Sequence, residues 1–313
     1  MKKNIRTRII AWSIVSGIIL AIMLTGITSV MLGESEFGWK FSSFKLFDSE
    51  WLDSNGDISY SSGDTEFPAE DIRSLKINWG AGEVIFTRSS SENIVITEEN
   101  RNSDNAMKWK LENGVLTVKS GQKGFGFFFS AQESKTLVVN IPEKTRLTEI
   151  KVNTASASVT ADHLDAFDVK ISTASGNIQI DKLDAQDSHI ENVSGATILN
   201  GTNISTLHTE SISGNTEVSG SCKEVHMESV SGNLETELGK TTESVKTETV
   251  SGDTRITLTD TGKGFTFDYE SVSGAFSTPL SGETSGKTFV YGDGKADVHC
   301  ESVSGNFIID QSN

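Results

Sequence analysis

LHTESISGNTEV (residues 207–218) and VHMESVSGNLET (225–236) are near copies, 18 residues apart. The pattern returns as TVSGD at 249–253, SVSGA at 271–275 and SVSGN at 302–306. Its Ser-Gly step marks Gly176, Gly195, Gly214, Gly232, Gly252, Gly274 and Gly305, at spacings of 19, 19, 18, 20, 22 and 31 residues. TASAS at 154–158 is a degenerate copy with Ala157 in place of the glycine, and LKINWGAGEVIF (75–86) holds an earlier one at Gly82. Self-similarity of this period is the signature of stacked repeats.

Alignment on the glycine sorts the residues into columns. Seven and five residues before it stand Val169, Leu207, Val225, Ile171, Ile190, Met227 and their counterparts; two and four after it stand Ile178, Leu234, Ile180, Val218 and theirs. Apolar or Thr residues alternate with polar ones, so each arm reads as a strand with one buried face. The apolar residues two before the glycine, Val193, Ile212 and Val230 among them, read as part of the same inner pattern. A single repeat cannot bury its own inner face. Coils stacked about 4.8 Å apart make a continuous core and pair each backbone with the next. The expected fold is therefore all-β: a β-solenoid, or β-helix-like stack, of coils of about 19–20 residues. The glycine is expected to turn the corner with a positive φ. The Ser before it is expected to bond a neighbouring backbone group, and Asn177, Asn215, Asn233 and Asn306 to form a polar ladder.

Two outward columns carry charge. Four before each glycine stand Glu191, Glu210, Glu228, Glu248, Glu270 and Glu301; six before stand His189, His208, His226 and His299, with Lys170, Lys246 and Asp268. Four of the five histidines thus share one column. Stacked glutamates repel, and a parallel His/Lys column supplies compensating charge on a solvated face. Two functional readings stand beside that one: a divalent cation held by Glu and His, or histidines that titrate as the external pH falls. A flat ladder lacks a closed coordination shell, so no metal site or cofactor is assigned and little stabilisation by calcium or zinc is expected.

The formal net charge is −16. Residues 1–32 carry Lys2, Lys3, Arg6 and Arg8 and no acid, which leaves −20 on the remainder. Such a body repels nucleic acid and anionic lipid headgroups. Ile9 to Leu32 is a run of 24 residues without a charge, long enough to span a hydrocarbon core of about 30 Å. It is longer than a typical signal-peptide core, and Ser29-Val30-Met31-Leu32 is a poor cleavage site. Residues 1–8 are thus expected in the cytoplasm, 9–32 as a transmembrane helix, 33–70 as an acidic linker and 71–313 as the extracytoplasmic body, with regular repeats over 150–313. Cys222 and Cys300 fall on different sides of the coil about four layers apart and are expected to be free.

The anchor, the SVSGN repeats, LKINWGAGEVIF and LVVNIPEKTRLTEIKVNTASASV (137–159) together resemble the LiaG-like putative-adhesin family, over residues 70–313. The resemblance implies a β-solenoid on the outside of a bacterial membrane, often encoded with cell-envelope stress systems, with no catalytic residues to carry over. Phe125–Phe129 and Pro279–Asp293 look like loops particular to this chain.

Enzymes on β-helical folds need acids and bases converging in a groove. Asp181, Asp184 and Asp187 read as turn residues, and His163 has no nucleophile context. No HExxH, P-loop or GGxGxD motif is present. The expected function is a non-enzymatic scaffold or binding surface for an envelope polymer or protein. One alternative is a structural element assembling end to end through an open edge at Phe307–Asp310; another is a β-helix enzyme acting on envelope polysaccharide. Oligomeric state is not legible.

Overall fold

The computed structural model describes residues 60–99, 105–121, 134–259 and 264–312. The expected cytoplasmic segment, the anchor over 9–32, the linker up to residue 59 and Phe125–Phe129 lie outside the described residues. Among those described, no helix is long and apolar enough to cross a membrane.

Alternation of apolar and polar residues produces strands throughout. The first are β1 (Ser61–Ser62), β2 (Thr65–Pro68), β3 (Ser74–Trp79), β4 (Gly82–Ser89), β5 (Asn93–Glu99) and β6 (Lys108–Glu112). Next come β7 (Val115–Lys119), β8 (Lys135–Pro142), β9 (Leu147–Thr154), β10 (Ser158–Ala161), β11 (Leu164–Thr173) and β12 (Ile178–Ile180). The repeats continue as β13 (Leu183–Asn192), β14 (Thr197–Ser211), β15 (Thr216–Ser229), β16 (Leu234–Leu238), β17 (Ser244–Ser251) and β18 (Thr254–Thr259). The last are β19 (Phe265–Ser273), β20 (Phe276–Ser277), β21 (Glu283–Ser285), β22 (Thr288–Tyr291), β23 (Ala296–Ser304) and β24 (Phe307–Ser312).

These strands form a repetitive all-β stack of two parallel ladders facing one core. One runs β7–β3–β9–β11–β13–β14–β15–β17–β23–β19. The other runs β8–β4–β10–β12–β14–β15–β16–β18–β24–β20. The long β14 and β15 serve both. Their register shifts after Leu199, where Thr202 pairs with Gly220. The coil with an 18-residue spacing has lost one residue there, between its arms, so the buried columns on either side stay aligned.

The columns read as inward are buried, from Val169, Ile171, Ile178 and Ile180 to Val298, Cys300, Phe307 and Ile309. The column two before the glycine differs: Val193, Ile212, Val230, Val250 and Val303 are half-exposed, and Val272 is 61 % exposed. The residue three before the glycine takes the inner place. Thr173, Asn192, Ser211 and Ser229 accept the N–H of Gly176, Gly195, Gly214 and Gly232 at 3.0, 2.8, 3.0 and 2.8 Å. The corner needs a polar acceptor for a buried N–H, and the aliphatic neighbour is turned outward.

The turn glycines do not have positive φ; those that do include Gly82, Gly201 and Gly220. Close approach requires them instead. A Cβ at Gly195 would lie 2.0 Å from the Gly176 carbonyl oxygen, and at Gly214 1.8 Å from that of Gly195. The preceding serines bond as expected: Ser194, Ser213 and Ser231 each donate at 3.2 Å to a carbonyl of the layer beneath. The Asn ladder also forms, each side-chain oxygen accepting a backbone N–H from the next layer, as Asn215 does from Asn233 at 3.0 Å.

At both ends, layer order departs from chain order. Residues 115–142 lie outside residues 74–89. The last coil, β23 and β24, is inserted between β17/β18 and β19/β20. Phe307 and Ile308 are therefore interior rather than an open terminal edge, paired with β18 on one side and β20 on the other, while Ile309 and Asp310 pair with β18 alone. The outermost layer is β19, and Pro279–Asp293 is not simply a loop. It contains the hairpin β21–β22, whose second strand pairs antiparallel with β19. At the opposite end β6, β5 and β2 likewise close the ladders with antiparallel pairs.

Candidate functional site

In spatial order, the outer face of the first ladder carries Lys170, His189, His208, His226, Lys246, His299 and Asp268 in one column. Beside it run Ser172, Glu191, Glu210, Glu228, Glu248, Glu301 and Glu270. The half-exposed aliphatic column follows. Inserting the last coil matters here. It puts His299 next to Lys246 and moves Asp268 to the end, so the column of Lys and His is uninterrupted over six layers.

Within a strand the two columns lie two residues apart on one face, and they pair. His189 Nε2 lies 2.8 Å from Glu191 Oε1, His208 Nε2 2.8 Å from Glu210 Oε1, and His299 Nε2 2.9 Å from Glu301 Oε1. Lys246 contacts Glu248 in the same way. Glu191 also accepts from Ser172 at 3.0 Å in the adjacent layer. The His189 and His208 rings stack at 4.8 Å, and His208 meets His226 edge-on at 4.7 Å.

Two of the glutamates are less solvated than the column pattern implied, while the side chains of Glu228 and Glu301 stay well exposed. Glu191 is 3 % exposed and Glu210 8 %, because layers one strand-spacing apart let the imidazoles and carboxylates cover one another. Burial favours the neutral form of His189, but Glu191 and then Glu210 outweigh it and raise its pKa. The bond to Glu301 raises His299, and His299 in turn lowers Glu301. His226 first, and then Lys246, hold the Glu248 carboxyl down to about 2. Glu228 goes the other way: burial, with Glu210 and Glu248 nearby, pushes it up against the pull of His226. His226 Nε2 stands apart. It lies 3.2 Å from Glu228 Oε1 and 3.8 Å from Glu248 Oε1, yet it is buried and makes no hydrogen bond.

The remaining sequence candidates do not assemble a reactive centre. Asp184 and Asp187 lie within β13, not in a turn. His163 Nε2 meets Asp184 Oδ2 at 2.7 Å, and Asp184 also accepts from Asn203 and Lys182, which lower its pKa against the effect of burial. Among the described residues, the side-chain partners of every histidine are carboxylates, and none is a Ser, Thr or Cys. Cys222 and Cys300 are free and buried. Burial raises their thiols to about 11 and about 12, so neither offers a thiolate at neutral pH. Sequence reasoning missed the aliphatic column as part of this face. Its signal was the period-2 continuation from the His and Glu positions.

The Toastrack DUF4097 family matches residues 72–310. Among solved structures, a putative adhesin from Bacteroides fragilis is 13 % identical with a TM-score of 0.45, covering 80 % of this chain and 96 % of that one. A putative lipid binding protein from Parabacteroides distasonis is 14 % identical with a TM-score of 0.45, covering 83 % and 98 %. A putative cell adhesion protein from Clostridium sporogenes is 14 % identical with a TM-score of 0.28, covering 81 % and 100 %. No curated protein matches the chain.

Proposed function

This chain belongs to the Toastrack DUF4097 family, and on that footing we propose that it is a non-enzymatic scaffold or binding surface of the bacterial cell envelope. In this reading it is a LiaG-like protein: residues 9–32 anchor it, residues 1–8 are cytoplasmic, and 33–70 link the membrane to an extracytoplasmic β-solenoid over 71–313. An envelope polymer or an envelope protein docks on the solenoid's side.

The observation that carries the proposal is the outer face of the first ladder. Its His, Glu and aliphatic columns run in register through successive layers, on a backbone locked by close glycine approaches. Such a face is broad, flat and rigid, which suits recognition of an extended partner more than enclosure of a small substrate.

The test is recovery of envelope material by the anchored full chain, against a variant with Val193, Ile212, Val230 and Val250 changed to Lys. The expected result is a polymer or protein retained by the parent and lost by the variant. Equal recovery by both sinks the proposed face. Topology is tested separately with a membrane-impermeant thiol reagent on intact cells. Ser43→Cys should label and Asn4→Cys should not; the native cysteines give little background because both are buried. Labelling at residue 4 would reverse the orientation.

A further inference from the structure

His189, His208 and His226 stand in three successive layers, and they create two groups of metal-ligand atoms: His189, His208 and Glu210, and His208, His226 and Glu228. In each group the atoms lie within 4.8 Å of one another. Parallel strands alone hold adjacent layers about that far apart, so an ordinary ladder would be a row of separate groups. Two features make the second group different.

The first is His226 Nε2. In the first group the ring nitrogens are already engaged, by Glu191 and by Glu210, at 2.8 Å each. His226 Nε2 is buried without a hydrogen bond. A buried polar atom with no hydrogen bond is costly; here the Glu228 and Glu248 carboxylates, at 3.2 and 3.8 Å, meet it by charge alone. The second feature is spacing. A tetrahedral zinc site with bonds of about 2.0–2.1 Å has ligand atoms about 3.3 Å apart along each edge. His226 Nε2 and Glu228 Oε1 are 3.2 Å apart, so two ligands already stand at the separation that one cation imposes. The half-exposed His208 ring is the third. It meets His226 edge-on and need only tip toward it, giving up its bond to Glu210. Stacked carboxylates of Glu210, Glu228 and Glu248 surround the position, which favours positive charge there.

We propose that His208 Nε2, His226 Nε2 and a Glu228 carboxylate oxygen bind one divalent first-row cation of the zinc class, with solvent as fourth ligand. Two imidazoles and one carboxylate suit zinc over calcium or magnesium, which take oxygen shells. Each imidazole keeps its proton on Nδ1 when Nε2 ligates. Both groups share His208, and with one nitrogen of that ring as ligand the ladder takes one ion per chain. The proposed site departs from the flat-ladder expectation because side chains lean across the strand spacing, which the backbone period does not reveal. The inference stands independently of the scaffold reading.

The experiment uses the untagged full chain. Cobalt(II) titration is followed by its visible absorption, and zinc(II) affinity is measured by competition with a chromophoric chelator. Expected are one equivalent per chain, tetrahedral cobalt bands, and zinc affinity lower by about tenfold or more in His208→Ala, His226→Ala and Glu228→Gln. His299→Ala, which removes a His–Glu pair outside the set, should leave affinity unchanged. Far-UV circular dichroism and the urea midpoint of each metal-free variant report whether it is folded. Absence of stoichiometric binding overturns the proposal, as does affinity indifferent to His226→Ala in the folded variant. Loss in His189→Ala with retention in His226→Ala also overturns it, by placing the ion in the other group.

Discussion

Gly214 has no space for a side chain: a Cβ there would press on the Gly195 carbonyl oxygen, and the equivalent contact recurs from Gly176 to Gly305. Gly214→Ala must separate two layers of a packed stack, and overpacking of this kind costs about 1–3 kcal/mol. Ser213→Ala, which removes one exposed bond to Val193, is expected to cost less. Urea unfolding of the two variants checks the ranking. The His299–Glu301 pair makes a pH prediction. His299 is raised above its ordinary 6.5, so its contribution is complete below 6.5 and is lost as pH rises through the folded value. Glu301 is lowered below its ordinary 4.5, so its contribution is present above 4.5 and is lost as pH falls through the folded value. The pair therefore contributes fully between those two values. In Glu301→Gln the His299 titration, followed by NMR, should shift down toward 6.5; no movement would detach the two groups. The inner and outer columns were legible residue by residue because side-chain alternation in strands is a local property. The inward place of Thr173, Asn192 and Ser211 was not, since a Thr, Asn or Ser beside Ala174, Val193 or Ile212 gives no local sign that the polar residue is the one enclosed.

At the scale of elements, the N-terminal end holds a buried ion pair. Lys135 Nζ lies 3.0 Å from Glu98 Oε1, with side chains 2 % and 0 % exposed. Glu98 also accepts the Met107 N–H at 2.8 Å, and Lys135 reaches the Asn105 carbonyl. These contacts tie antiparallel β5 to parallel β8. Removing one partner leaves a buried charge, so Lys135→Met is expected to destabilise by about 3–5 kcal/mol, while Lys135→Met with Glu98→Met costs far less. Thermal melts of the single and double variants decide this; equal losses would mean the pair acts only through packing. At the other end, aromatic residues replace aliphatic ones: Phe267, Tyr269 and Phe276 cluster with Phe289 of the hairpin. That change of composition was the available signal of a terminal layer. Spacing alone showed an insertion between Gly274 and Gly305, not which coil it leaves outermost.

For the whole molecule, the decisive arrangement is the last coil seated inside the stack. Removing residues 296–313 would not trim a terminal repeat. It would strip β17 and β18 of one neighbour and leave β19 without its parallel partner, along with the buried Val298, Cys300, Phe307 and Ile309. Such a truncation is expected to abolish cooperative unfolding and to aggregate through its exposed edges. A shortened chain that still unfolds cooperatively and stays monodisperse would show that β19 and β20 can dock directly on β17 and β18. By itself, the sequence determined the all-β repeat, its period, the buried columns away from the corner and the outward run of His and Glu, since these follow from side-chain alternation about a recurring Ser-Gly corner. Only the tertiary structure decided the order of the layers, the antiparallel closures and the convergence of His226 on Glu228. Coils that share one column pattern can pair in any order, and long side chains lean across layers according to neighbours that the chain's own period does not specify.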